Sequence, residues 1–268
     1  MTEITIEELL KAGAHYGHQT HRWNPKMKNY ILTTRNGLHI LDPQKTFDCF
    51  KNAVEVVKEV AKNNGIILFV GTKKQAQSII EEEAKRCGMF YVAKRWLGGM
   101  LTNFQTIRQS INKLNELERM KSDGTYEKLT KKEVMKLEKK REKLETVLSG
   151  IRNMERLPDL TIIVDVKLES TAVAESRRLG IPIVGLCDTN GDPDLVDYLV
   201  PANDDSMRSI KIFISAFADA IIESRGGTIP ETIIKEKEGT QEAEDVQGEG
   251  VKEERAKNSE EEKDEHKG

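Results

Sequence analysis

Lys94-Arg95-Trp96-Leu97-Gly98-Gly99-Met100-Leu101-Thr102-Asn103 is the point at which one hydrophobic period gives way to another. Before it, short apolar runs alternate with amphipathic segments; after it come two long, densely charged stretches with helical spacing. The stretch is therefore a joint between two kinds of structure. Its own chemistry is a pair of adjacent cations, one indole, two glycines that let the backbone turn or approach a partner closely, and a helix start. Cations beside an aromatic ring suit phosphate pairing and base stacking, whereas acid-base catalysis calls for carboxylates or histidines, and the stretch has neither. The competing reading is a surface loop around a half-buried tryptophan.

Working upstream, residues 66–70 form a short apolar run suited to a strand buried on both faces. Gly71-Thr72-Lys73-Lys74 follows it, then a helix carrying Ala76, Ile79, Ile80 and Ala84, then Gly88 and a strand over 89–92. Strand, helix, strand with short connections is a βαβ unit and implies a parallel sheet. Asp42-Pro43 caps an amphipathic helix before this unit. Residues 30–34, Asn36-Gly37 and 38–41 read as a β-hairpin with a type I′ turn. Thr5 and Glu8 have the spacing of a capping box for a short first helix stopped by Gly13. From Lys11 to Leu41 there is no acid, but five Lys and Arg, four histidines, Tyr16 and Trp23, a composition that fits a phosphate-tracking surface.

Working downstream, Thr102-Asn103-Phe104-Gln105 offers another capping-box spacing, with Ile107, Ile111, Leu114, Leu117 and Met120 as a stripe behind it. Ser122-Asp123-Gly124 breaks that helix, and Thr130 with Glu133 starts the next, where Val134, Leu137, Leu144, Val147 and Ile151 recur in near-heptad spacing. The pair predicts an antiparallel coiled-coil hairpin that projects rather than folding onto the sheet, each arm about 25 to 30 Å long. The sheet then resumes at 160–164, 183–187 and 197–200. Ser170 or Thr171 and Ser206 cap the intervening helices, the last of which stops at Gly226-Gly227. The expectation is a doubly wound, flavodoxin-like, five-stranded parallel sheet. Its α/β domain takes residues 1–101 and 152–227, with the N-terminal helix and the hairpin; 102–151 is the insertion.

Composition closes the outline. Residues 235–268 hold 7 Lys and Arg against 13 Asp and Glu, a net of −6, so the preceding residues carry +3 of the chain's −3. With no aromatic and few aliphatics, this end reads as a disordered acidic tail over 228–268. Cys49, Cys87 and Cys187 lack zinc or disulfide spacing and read as packed, reduced thiols. No apolar run is long enough to span a bilayer and the start is not a signal peptide, so a cytoplasmic protein is expected.

An enzyme of this architecture works at the carboxyl ends of its strands, and those loops carry weak signals. Gly71-Thr72-Lys73 lacks the first glycine of a phosphate loop, and no dinucleotide fingerprint or nucleophile elbow follows any strand. The acidic residues of 188–194 and 203–205 fit Asx turns and helix caps. A divalent ion held by Asp188 with Asp204 or Asp205, joined by His18 if the N-terminal segment folds over this edge, is the metal candidate. A nucleotide- or phosphate-handling enzyme with the hairpin as its lid is the runner-up function.

Several motifs in one order resemble the bacterial small-subunit ribosomal protein number two family. They are Gly13-Ala14-His15-Tyr16-Gly17-His18 through Trp23-Asn24-Pro25-Lys26-Met27-Lys28, then Phe69-Val70-Gly71-Thr72-Lys73, the opening stretch from Arg95, and Asp123-Gly124-Thr125. Gly180-Ile181-Pro182 through Asp188-Thr189-Asn190 to Asp204-Asp205 completes the set. The resemblance implies a structural, non-catalytic protein seated on ribosomal RNA between the head and body of the small subunit, where it helps dock ribosomal protein number one. Arg22, Trp23, Lys26, Lys28, Lys73, Lys74, Lys94, Arg95, Trp96 and Arg108 are the expected RNA contacts, with Trp96 supporting its loop from the core. The expected partners are small-subunit RNA and neighbouring ribosomal proteins, with no membrane, no certain cofactor and no obligate homo-oligomer.

Overall fold

A computed structural model describes residues 4–124, 126 and 129–226; the expected disordered tail lies outside them. The elements run α1 (Ile6–Ala12), β1 (Tyr16–Gln19), β2 (Ile31–Arg35), β3 (Leu38–Leu41), α2 (Pro43–Lys62), β4 (Ile67–Val70), α3 (Lys74–Cys87) and β5 (Phe90–Val92). They continue with α4 (Phe104–Ser122), α5 (Lys131–Leu148), β6 (Leu160–Val164), α6 (Ser170–Arg178), β7 (Ile183–Cys187), β8 (Tyr198–Pro201) and α7 (Met207–Ser224).

The five later strands form one parallel sheet in the order β5-β4-β6-β7-β8. Counted along the chain this is 2-1-3-4-5, the flavodoxin-like order, whose direction reverses between β4 and β6. The pleat divides the sheet between two cores. Ile67, Phe69, Ile162 and Val164 meet α2, α3 and α7, while Leu68, Val70 and Ile163 meet Met27, Leu41, Met100, Leu101, Ile107 and Leu148. Both faces are covered, and this is why β4, β6 and β7 read as continuous apolar runs rather than alternating ones.

The capping boxes expected at Thr5 and Thr130 form, through Glu8 and Glu133. The type I′ turn is equally direct: Asn36 and Gly37 have φ of 52° and 76°. Three local expectations are revised. Thr102 does not cap α4, because its hydroxyl donates to Glu175 instead, 3.1 Å away. The residue preceding α6 is Glu169 rather than Ser170 or Thr171. The hairpin also gains a third strand, β1, which pairs with β3 in a sheet of order β1-β3-β2. At four residues, with glycine as its second, β1 has too little apolar alternation to declare itself in the sequence.

α4 and α5 pair antiparallel: Lys121 meets Glu138 at 3.3 Å near the tip, and Arg108 reaches the Glu155 carbonyl at 2.9 Å near the base. The seam is lopsided. α4 buries Ile107, Ile111, Leu114 and Leu117, whereas α5 buries only Leu148 and leaves Val134, Leu137 and Leu144 half-exposed. Ile107, Ile111, Leu148 and Ile151 carry the base of the pair into the sheet's second core. Cys87 and Cys187 are buried and Cys49 half-buried, all as free thiols. No described helix is long and apolar enough to cross a membrane.

Candidate nucleic-acid interface

The joint between sheet and helical pair is built around a residue far away in the chain. Glu175, buried on α6, accepts from the Trp96 indole N–H at 3.0 Å and from the Gly99, Leu101 and Thr102 amides at 2.7, 2.9 and 3.0 Å. Burial alone pushes this carboxyl up, but the bonds from Thr102, Trp96, Leu101 and Gly99 outweigh it and hold the group below the usual range. One charge thereby satisfies backbone donors that would otherwise be stranded at the start of α4. Trp96 is half-buried against the core and supports the loop, leaving Lys94 and Arg95 exposed on its outside.

The two glycines play unequal parts. Gly99 has φ +86°, which a side chain resists, and an added Cβ would sit 3.2 Å from that of Asn103; Gly98 has no such φ and open space around it. Gly99 alone carries the turn. The first turn of α3 adjoins the loop, for Lys94 Nζ donates to Gln77 Oε1 at 3.3 Å, and Lys74 lies exposed at the head of the same helix.

The other expected RNA contacts divide by what their charges already do. Arg22 and Lys28 are exposed, and Trp23 is half-buried with its ring 5.2 Å from that of His39. Lys26 is clamped by Asp192 and Asp194 at 2.7 and 2.8 Å, hydrogen bonds that raise its pKa. Arg108 spends its guanidinium on the Glu155 carbonyl. Lys73 departs furthest from expectation: its ammonium is enclosed by Asp165, Asp204 and Asp205 at 3.2, 2.6 and 2.5 Å. It is an internal counter-ion rather than a cation offered to solvent.

That enclosure is the middle of a cluster at the carboxyl edge, beside the switch point between β4 and β6. The N-terminal segment does fold over this edge, because β1 is held by β3 and Gly17 lets its backbone close on β7's loop; a Cβ there would come within 2.6 Å of Thr189. His18 Nδ1 thus lies 2.7 Å from Asp188 Oδ2, and its Nε2 lies 3.5 Å from Asp205. The metal candidates His18, Asp188, Asp204 and Asp205 bring one ligand atom each within 4.8 Å of one another.

Electrostatics here are dominated by excess negative charge. Burial first, then Asp165 and Asp188, push Asp204 up to about 7 against the pull of Lys73. Burial opposes the charge on Lys73, but Asp204, Asp205 and Asp165 overcome it and raise its pKa. The His18 pKa is raised chiefly by its hydrogen bond to Asp188. At the same edge, Glu169 takes both the Thr72 amide and hydroxyl, at 2.7 and 2.6 Å. The loop after β4 thus turns its amide and its ammonium towards carboxylates, an arrangement that repels phosphate rather than cradling it. The runner-up enzyme loses its phosphate site for this reason.

Glu175 is not legible in the sequence as a site residue. Glu175 and Thr102 are 73 positions apart, and nothing local marks either as a partner. Against known families, the model described as ribosomal protein S2 matches residues 9–224 of this chain.

Proposed function

This chain belongs to the ribosomal protein S2 family, whose members are structural proteins of the small ribosomal subunit, and from that premise we propose that it binds small-subunit ribosomal RNA through the joint between sheet and helical pair. The observation that carries the reading is Lys94 and Arg95, exposed on a loop that Glu175 holds rigid. They sit in a run from Ala84 to Asn115 that contains no acid. Lys74 beside them extends the basic surface, and Arg22 and Lys28 add a second patch on the N-terminal segment. Among the described residues none of these five cations is ion-paired, so each retains its charge for phosphate.

Replacing Lys94 and Arg95 together by alanine lowers the slope of log affinity against log salt by about 1.4 to 1.8, two phosphate contacts' worth. Binding to deproteinised small-subunit RNA across a salt series measures it. An unchanged slope would show that the joint does not touch RNA.

The finer placement, between head and body of the subunit and in support of ribosomal protein number one, rests on family membership. A divalent ion at His18, Asp188, Asp204 and Asp205 is a second part of the proposal, motivated by one imidazole and three carboxylates converging. Metal analysis of the purified protein beside Asp188→Ala tests it: the variant loses the bound ion, and equal metal content in the two proteins rejects the site.

A further inference from the structure

On the side of the sheet away from the helical pair, α1 packs on both α2 and α7 and buries Leu9 and Ala12 there. Two clefts meet beside it at Ile4 and Ala216, one between α2 and α7 and one between α1 and α7. They hold about 400 and 570 Å³, the size of clefts that accept a ligand. Their floor is Ile4, Phe47, Phe50, Val54, Ile212 and Ala216. Of these, Ile4, Phe47, Ile212 and Ala216 remain half-exposed, apolar surface whose removal from water would favour a partner.

The walls of this channel carry charge that is unevenly spent. Glu8 closes the cap of its own helix, Asp219 holds Arg86 at 2.6 Å, and Glu55 lies 3.7 Å from Lys58. Lys51 on α2 and Arg208 and Lys211 on α7 are exposed and, among the described residues, form no ion pair. An apolar floor with unspent cations on both walls complements an apolar ridge flanked by carboxylates. The chain supplies its own example in α1, which has Glu7 and Glu8 in its first turn and turns Leu9 and Ala12 inward on the same two helices. An RNA backbone fits less well, because an apolar floor offers it no donor and Glu55 and Asp219 on the walls repel phosphate.

We propose that this channel docks an acidic amphipathic helix belonging to another protein of the small subunit. The helix seats apolar residues at i, i+3 or i+4 and i+7 on Phe47, Val54 and Ala216 and turns its acids to Lys51 and Lys211. The proposal rests on membership of the small subunit and is independent of the RNA contact at the joint.

The test places a photo-reactive p-benzoylphenylalanine at Glu55, an exposed residue of the α2 wall, in the full chain, and irradiates small subunits purified from cells that carry it. Mass spectrometry identifies the cross-linked residues. The expected product is a segment of another subunit protein with apolar residues at helical spacing and acids beside them. Lys51→Glu with Lys211→Glu, added to the probe-bearing chain, lowers the yield per incorporated chain about tenfold, through like-charge repulsion. Lys51→Arg with Lys211→Arg retains it. A cross-link to RNA, to a second copy, within this chain or to a basic segment overturns the proposal, as does the absence of any cross-link. A yield that charge reversal leaves unchanged, or that falls equally in the arginine variant, overturns it too.

Discussion

Glu175→Gln lowers the unfolding free energy by about 3 kcal/mol at pH 7 and weakens RNA binding without removing a single cation from the surface. The carboxylate accepts from Trp96, Gly99, Leu101 and both donors of Thr102. An amide offers one acceptor oxygen and turns its own N–H groups on these donors, so several charge-assisted bonds are lost and buried amides are left unpaired. The folded-state pKa is held below the ordinary 4.5. The stabilisation is therefore complete above about pH 4.5 and is lost as pH falls through the lower folded value, since the unfolded chain binds the proton more readily. Urea unfolding at pH 7 and at pH 3 to 4 measures both effects. The variant starts lower and has a shallower acid slope, and a midpoint equal to wild type at pH 7 would remove Glu175 from its place as the anchor of the joint. Salt-slope measurements then report whether a loosened loop still presents Lys94 and Arg95.

Lys73→Met is expected to cost about 3 to 5 kcal/mol, the loss typical of removing one partner from a buried charge group. Asp165 and Asp204 are almost fully buried and face one ammonium between them. Asp204 is already pushed up to about 7 with that ammonium in place, and removing it pushes the carboxyl higher. A raised carboxyl pKa means that the folded state holds its proton more tightly than the unfolded chain. Stability from this group accordingly falls as pH rises from the ordinary 3.8 through the folded value. The deficit of the variant is larger at pH 8 than at pH 5. Thermal unfolding in the presence of a chelator, which keeps an added cation from standing in for the lysine, reads the difference. A deficit that is equal at the two pH values would mean that Lys73 is not what balances Asp204.

The sequence by itself determined everything that repeats locally. The apolar runs of β4, β6 and β7, the helical stripes of α2, α3, α4 and α7, and the caps at Thr5, Asp42, Thr130 and Ser206 depend on neighbours within a few residues. Burial on both faces of a parallel sheet writes itself into composition without reference to distant parts. The two acid-free runs and their cations were likewise visible, as was the possibility that His18 meets Asp188.

What only the tertiary structure decided is how those charges are spent. Lys73 and Lys74 are adjacent and alike in sequence, but one is enclosed by carboxylates from the ends of β6 and β8 and the other is exposed. Lys26 and Lys28 divide in the same way, because the loop after β7 brings Asp192 and Asp194 to the first of them. Gly98 and Gly99 are identical until φ is known. Glu175 reads as one more acid on an amphipathic helix until α6 packs against the joint. The physical reason is common to all four: a charge or a backbone donor is satisfied by whatever the fold brings within about 3 Å, and those partners lie some 70 to 170 residues away, beyond the reach of any local pattern.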